Sequence, residues 1–150
     1  MRIVIQRVTH SEVAIAGSVV GKIGKGLMIL LGVEAEDTDA DIEWLCGKIA
    51  RLRIFDDENG VMNLDIQQVG GEVLVVSQFT LYASTKKGNR PSYIRSAPEA
   101  ISRPMYERFL ERLSATLGKE VAHGEFGADM QVSLTNDGPV TICIDSKNRE

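Results

Sequence analysis

Polar and apolar positions alternate from the start of the chain: Ile3, Ile5 and Val8 stand among polar neighbours, and Val13 and Ile15 resume the alternation up to Gly17-Ser18. Period two marks a strand with one buried face, and the Gly-Ser pair predicts a turn into an antiparallel partner, Val19 to Ile23. Gly24-Lys25-Gly26 breaks the pattern and reads as a hairpin turn; it lacks the spacing of a phosphate-binding loop, and no Ser or Thr follows its lysine. Leu27 to Val33 is a continuous apolar run, the pattern of a central strand covered on both faces.

The period then changes. Asp37, Thr38 or Asp39 can cap a helix in which Ala40, Ile42, Trp44, Leu45, Ile49 and Leu52 recur at helical spacing. Trp44 reads as core or interface packing rather than a base-stacking platform. Arg53-Ile54-Phe55 turns strand-like, and Asp56-Asp57-Glu58-Asn59-Gly60 reads as a solvated turn because its carboxylates do not follow calcium-loop spacing. Val69-Gly70-Gly71 turns into an apolar strand ending at Ser77. A second helix is expected from Pro98, with Ile101, Met105, Phe109, Leu110, Leu113 and Leu117 as its apolar stripe and Gly118 as its end. Pro104 predicts either a slight kink or a later start to the regular helix. Val121 to His123, the alternation Met130, Val132, Leu134, and Val140 to Asp145 return to strand, and Ser146 to Glu150 reads as a frayed polar tail. The expectation is one β-rich α/β domain over residues 1–150, a curved sheet covered by two helices.

Composition narrows the class. A chain of 150 residues with 43% hydrophobic and 25% charged residues has the make-up of a folded domain with one sizeable core. Cys46 and Cys143 both lie in apolar-periodic segments where a buried thiol is the ordinary explanation, which argues against a disulfide framework and for the cytoplasm. No run approaches the roughly 20 apolar residues of a membrane span. His10 and His123 occupy surface or turn positions, and no Cys-His spacing points to zinc, so neither metal nor cofactor is expected.

Two islands carry candidate chemistry: Ser77-Gln78-Phe79-Thr80 at a strand end, and Asn136-Asp137-Gly138-Pro139-Val140-Thr141 between strand-like segments. Neither contains a strong general base. Hydroxyls and backbone dipoles at such places orient a substrate rather than attack it, which limits the reaction to one whose substrate is already labile. Read alone, Ser77 and Thr80 fit structural roles, Phe79 fits the core and Gly138-Pro139 fits a turn. On a regular strand Ser77 and Phe79 share one face and Gln78 and Thr80 the other, so a common pocket requires the chain to bend at or just after Ser77.

Taken together and in order, the two islands, the loop Lys87-Gly88-Asn89-Arg90-Pro91-Ser92 and the N-terminal Arg2-Ile3-Val4-Ile5-Gln6-Arg7-Val8 resemble the D-aminoacyl-tRNA deacylases from Met1 to the Ile144 strand. The resemblance implies a barrel-like antiparallel or mixed sheet. It also implies hydrolysis of the ester of D-aminoacyl-tRNA, and of glycyl-tRNA, with rejection of L-aminoacyl esters. Ser77, Gln78, Phe79 and Thr80 would form the catalytic pocket for the aminoacylated adenosine, with the Thr80 hydroxyl close to the ester and amides around Phe79 facing the developing charge. Thr80 as nucleophile and water activated with the help of the neighbouring ribose hydroxyl are the two competing mechanisms, the second favoured because neither His10 nor His123 is placed as a base. A cis Gly138-Pro139 of a partner subunit would exclude L side chains, Asn136 and Thr141 would brace that loop, and Met130 would pack near the adenosine or in the core. The formal charge of -4 is unusual for an RNA binder, but Lys86, Lys87, Arg90 and Arg95 cluster beside the proposed site and are expected to meet phosphates of the tRNA acceptor end. A homodimer with composite sites follows, with no membrane or DNA partner. A ligand-binding dimeric module and a hydrolase of other activated D-amino-acid esters remain as alternatives.

Overall fold

The first alternating segment becomes the spine of the sheet. In the computed structural model, which describes residues 1–150, β1 (Arg2–Ile15) pairs antiparallel with β2 (Ser18–Ile23), β3 (Gly26–Gly32) and β8 (Gln131–Asp145). β8 takes one edge of β1 along most of its length, while β3 and β2 share the other at Arg2 to Val8 and Ser11 to Ile15. β3 continues in parallel to β6 (Glu72–Ser77), and β6 to β7 (Ala122–His123). This six-stranded mixed sheet curls until β2 meets β7. A Cβ at Gly21 would lie 2.6 Å from the His123 carbonyl oxygen, so the approach that nearly closes the barrel admits only glycine. β4 (Phe55–Asp56) and β5 (Met62–Leu64) form a separate short ribbon. Asp57 spends its carboxylate on that ribbon's turn, accepting the Asn59 and Val61 amides at 2.9 and 3.0 Å.

Two cores result, one on each face. Leu27, Ile29 and Leu31 of β3 and Val73 and Val75 of β6 face the helices, whereas Met28, Leu74 and Val76 face the barrel interior. Burial on both sides explains why these segments read as unbroken apolar runs. Val8 and Val13 of β1 both reach the interior although they are an odd number of positions apart. A register slip between Val8 and His10 supplies the extra residue that makes this shared face possible.

Local chemistry moves several expected boundaries. The β1–β2 hairpin turns at Ala16-Gly17, one residue before the expected Gly17-Ser18, with φ of 48° and 81° as a primed hairpin turn requires. Gly24-Lys25 is not a hairpin turn, because β2 and β3 both pair with β1 and not with each other. Helix α1 (Asp39–Arg51) is capped by Thr38, whose amide donates to Asp41 at 2.8 Å. Helix α2 (Glu99–Leu117) follows Pro98, runs through Pro104, and ends at Gly118 with φ 64°. Its buried face is Ser102, Met105, Tyr106, Phe109 and Leu113, while Ile101 is exposed. Cys46 is buried and burial pushes its thiol up to about 12, but Cys143, expected inside, is exposed on β8. No helix is long and apolar enough to cross a membrane.

The end of the chain is fastened, not frayed. Ser146 is 4% exposed, and its hydroxyl donates to Asp41 at 2.6 Å while its amide donates to the Met1 carbonyl at 2.9 Å. Lys147 pairs with the same Asp41 at 2.9 Å, and the Arg149 guanidinium lies 4.3 Å above the half-buried Trp44 ring. Burial drives the Asp41 carboxyl upward, but bonds from Ser146, Lys147 and the Thr38 amide outweigh it and hold the group well below its ordinary 3.8. A depressed aspartate contributes stability that is complete above the ordinary value and lost as pH falls through the folded one. Asp41→Asn should therefore lower stability by about 1–3 kcal/mol at pH 7, with the difference from the parent shrinking below pH ~4. Thermal unfolding followed by circular dichroism at both pH values checks it; an equal gap at both would show that Asp41 acts only through packing.

Candidate active site

The parallel pairing of β3 and β6 brings Ser77 beside Leu31, and the Gln78 amide donates to the Leu31 carbonyl at 2.7 Å. There the regular strand stops: Gln78 takes φ -145° and ψ 84°, and Phe79–Tyr82 coil into one 3₁₀ turn. This is the bend that a shared pocket required. Ser77, Gln78 and Phe79 line a cleft of about 300 Å³. Ser102 and Tyr106 of α2, the segment Phe126 to Ala128, and Met130 and Val132 close its other sides. Thr80 does not line it, and its hydroxyl accepts a hydrogen bond from the Gln78 side-chain amide.

The walls contain no carboxylate, imidazole, amine or thiol. The one titratable lining group, Tyr106, donates its hydroxyl to the Val75 carbonyl at 3.1 Å, and burial pushes its pKa further up, so it stays protonated at neutral pH. His10 bonds with Thr9 and Thr135 and His123 with the Gly124 carbonyl, and neither lines the cleft. Polar capacity is therefore confined to hydroxyls, the Gln78 amide and backbone. As the opening residues of a 3₁₀ turn, Phe79 and Thr80 have amides without a partner inside the turn. None of the backbone bonds outside the regular elements takes either amide. Phe79 is 56% exposed, contrary to a core reading, and meets Tyr93 edge-on with ring centroids 5.0 Å apart.

The second island is a bulge within β8, not a break between strands. Gln6 pairs with Thr141 and Val8 with Asn136, leaving Asp137, Gly138, Pro139 and Val140 opposite Arg7 alone. The Gly138-Pro139 peptide is cis. Arg7, only 7% exposed, donates to the Asp137 carbonyl at 2.9 Å and the Ile54 carbonyl at 2.7 Å, and pairs with Asp56 at 3.4 Å and the Asp137 carboxylate at 3.6 Å. Asn136 accepts the Val140 amide and donates to Thr141, both at 2.9 Å, which closes the bulge from within. Gly138 has φ 137°, and a Cβ there would lie 2.8 Å from Val140 Cγ2 and 3.1 Å from the Arg7 guanidinium. Gly138 and Pro139 do not line the cleft of their own chain.

Sequence reasoning missed Arg7 as the clasp of this bulge and Asp137 as its counter-ion. One signal was present: Arg7 occupies the same alternating face as the buried Ile3 and Ile5. Of the basic cluster, Lys86, Lys87 and Arg90 stand exposed on a loop pinched at its base by reciprocal Ser84–Ser92 bonds of 2.8 and 2.9 Å. Arg95 is already engaged, paired with Glu34 at 3.4 Å and lying 5.4 Å from the Tyr82 ring centroid.

The family model for D-Tyr-tRNA(Tyr) deacylase matches residues 4–145. A D-aminoacyl-tRNA deacylase of Bacteroides thetaiotaomicron is 63% identical over 150 residues, covering all of both chains. Among solved structures, one titled c-Myc DNA unwinding element binding protein superposes with a TM-score of 0.90 at 40% identity, over 97% of this chain and 98% of its own. A probable eukaryotic D-amino acid tRNA deacylase shares the fold, with a TM-score of 0.83 at 16% identity over 95% and 97% of the two chains. With the family model spanning nearly the whole chain and a full-length relative this similar, the chain belongs to the D-Tyr-tRNA(Tyr) deacylase family.

Proposed function

We propose that this protein hydrolyses the ester joining a D-amino acid, or glycine, to the terminal adenosine of tRNA, releasing the amino acid and intact tRNA in the cytoplasm. One observation carries the mechanism: a cleft of nucleotide scale opens beside free amides at Phe79 and Thr80 and offers no ionisable base. Water adds to the ester carbonyl, negative charge gathers on its oxygen opposite those amides, and the bond to the ribose oxygen breaks as the proton lost by the water passes, by way of the neighbouring ribose hydroxyl, to that leaving oxygen. The neighbouring ribose hydroxyl orients the water. Thr80, with Gln78 donating to it and no base bonded to it, supports substrate positioning rather than nucleophilic attack. Met130 packs against the adenosine.

The functional unit is a two-fold dimer in which Gly138-Pro139 of one subunit reaches the cleft of the other. Two features support this reading: the dipeptide sits in a bulge clasped by Arg7 and does not line the cleft of its own chain, and β8, paired only with β1, leaves a long open edge. Selection then works by exclusion, since main-chain atoms block an L side chain and leave room for a D side chain or none. Lys86, Lys87 and Arg90 meet acceptor-end phosphates, with Arg95 as a brace for their loop.

Three outcomes follow. Thr80→Ala should retain substantial single-turnover activity on D-tyrosyl-tRNA, whereas a substrate ending in 2′-deoxyadenosine should react about 100-fold more slowly; the opposite pattern would establish an acyl-enzyme through Thr80. Gly138→Ala should slow D-tyrosyl-tRNA hydrolysis about 10- to 100-fold and narrow the gap to L-tyrosyl-tRNA, because displacement by an ångström is enough to misplace a reacting group. Sedimentation of the parent protein at the mass of one chain would remove the shared-site reading. Replacing Lys86, Lys87 and Arg90 with alanine should raise KM for tRNA and flatten its salt dependence while leaving kcat unchanged; a fall in kcat at constant KM would place the loop in the chemistry.

A further inference from the structure

The peptide joining Phe79 to Thr80 is planar and trans, so its carbonyl and its N–H point in opposite directions. That carbonyl accepts a 2.7 Å hydrogen bond from the Ser96 hydroxyl. The Thr80 N–H on the far side of the same plane is consequently turned away from Ser96. Free amides at the start of a 3₁₀ turn point back toward the residues that precede it, and those residues here, Ser77 and Gln78, line the cleft, although Thr80 itself does not. A single 3₁₀ turn has poor hydrogen-bond geometry and holds its peptide planes loosely. Ser96 does not share that slack. Its amide donates to the Tyr93 carbonyl at 3.0 Å, it bridges to Glu34, and the next residue, Ala97, is buried and donates to the Val33 carbonyl at 2.9 Å. Arg95, paired with Glu34, fastens the same segment from the adjacent position.

We propose that Ser96 is a positioning residue for catalysis, fixing the Phe79–Thr80 peptide so that the Thr80 amide faces the developing oxyanion. A second effect works in the same direction. Donation to a peptide carbonyl polarises the whole amide and makes its N–H a stronger donor, so the Ser96 bond both aims and strengthens the group that stabilises charge in the transition state. This inference rests on the deacylase reading above.

The test uses the full-length protein and D-tyrosyl-tRNA. Ser96→Ala should lower kcat on the order of tenfold, a fraction of the loss that follows complete removal of an oxyanion donor, with KM unchanged and the unfolding temperature nearly so. Ser96→Thr, which keeps the hydroxyl, should restore most of the rate, and Ser96→Cys, a near-isosteric but weak donor, should fall between. Equal rates for the serine, cysteine and alanine proteins overturn the proposal, as does a loss confined to KM, or equal impairment of the alanine and threonine variants, which would mark packing. If the parent protein leaves D-tyrosyl-tRNA intact, the deacylase reading fails first; full activity in both parent and Ser96→Ala removes only the role of Ser96.

Discussion

Almost every functional element of this fold is referred to β1 through backbone hydrogen bonding. Because β8 occupies one edge while β3 and β2 divide the other, β1 fixes the height of three strands at once. Through β3 it sets the level of β6, and so the point at which Ser77 leaves the sheet. Through β8 it sets the position of the bulge, since Gln6 and Val8 hold their partners in register and Arg7 between them faces the surplus residues. A slip of one residue in β1 would exchange the two cores and separate both islands from their supports.

Charge is used in this molecule for construction and kept away from the cleft. Arg7 clasps the bulge, Asp41 ties the chain end to the start of α1, and Arg95 with Glu34 fastens the loop behind Phe79. Arg7 and Asp41 are buried and each has several partners, as burial of an ion demands, whereas Arg95 keeps its charge at the surface. The cleft contains none of them. A wall of apolar side chains, two serines and exposed backbone suits a reaction whose substrate brings its own activated ester and neighbouring hydroxyl. Main-chain groups also have a property that side chains lack: their direction is set by the fold and cannot relax through a rotamer change. The same logic applies to the bulge, where Gly138 and Pro139 present backbone held by Arg7 and Asn136.

The alternation in β1, the double-sided apolar runs of β3 and β6, and the stripes of both helices were legible because each depends on local period and on which faces are buried. The bend after Ser77 was also legible, since four consecutive strand residues cannot share a pocket, and the resemblance carried by the two islands and the basic loop pointed to the family. What stayed hidden depends on partners distant in sequence. Ser146 looked free because Asp41, which holds it, is 105 positions away, and Arg7 looked like one more polar residue of a strand until Asp137 and Ile54 closed around it. Phe79 looked like core because its hydrophobicity says nothing about which side of a 3₁₀ turn it occupies. The sequence by itself determined the periods, the caps and the family; only the tertiary structure decided where peptide planes and buried charges point, because those directions are set by hydrogen bonds between segments that no local pattern connects.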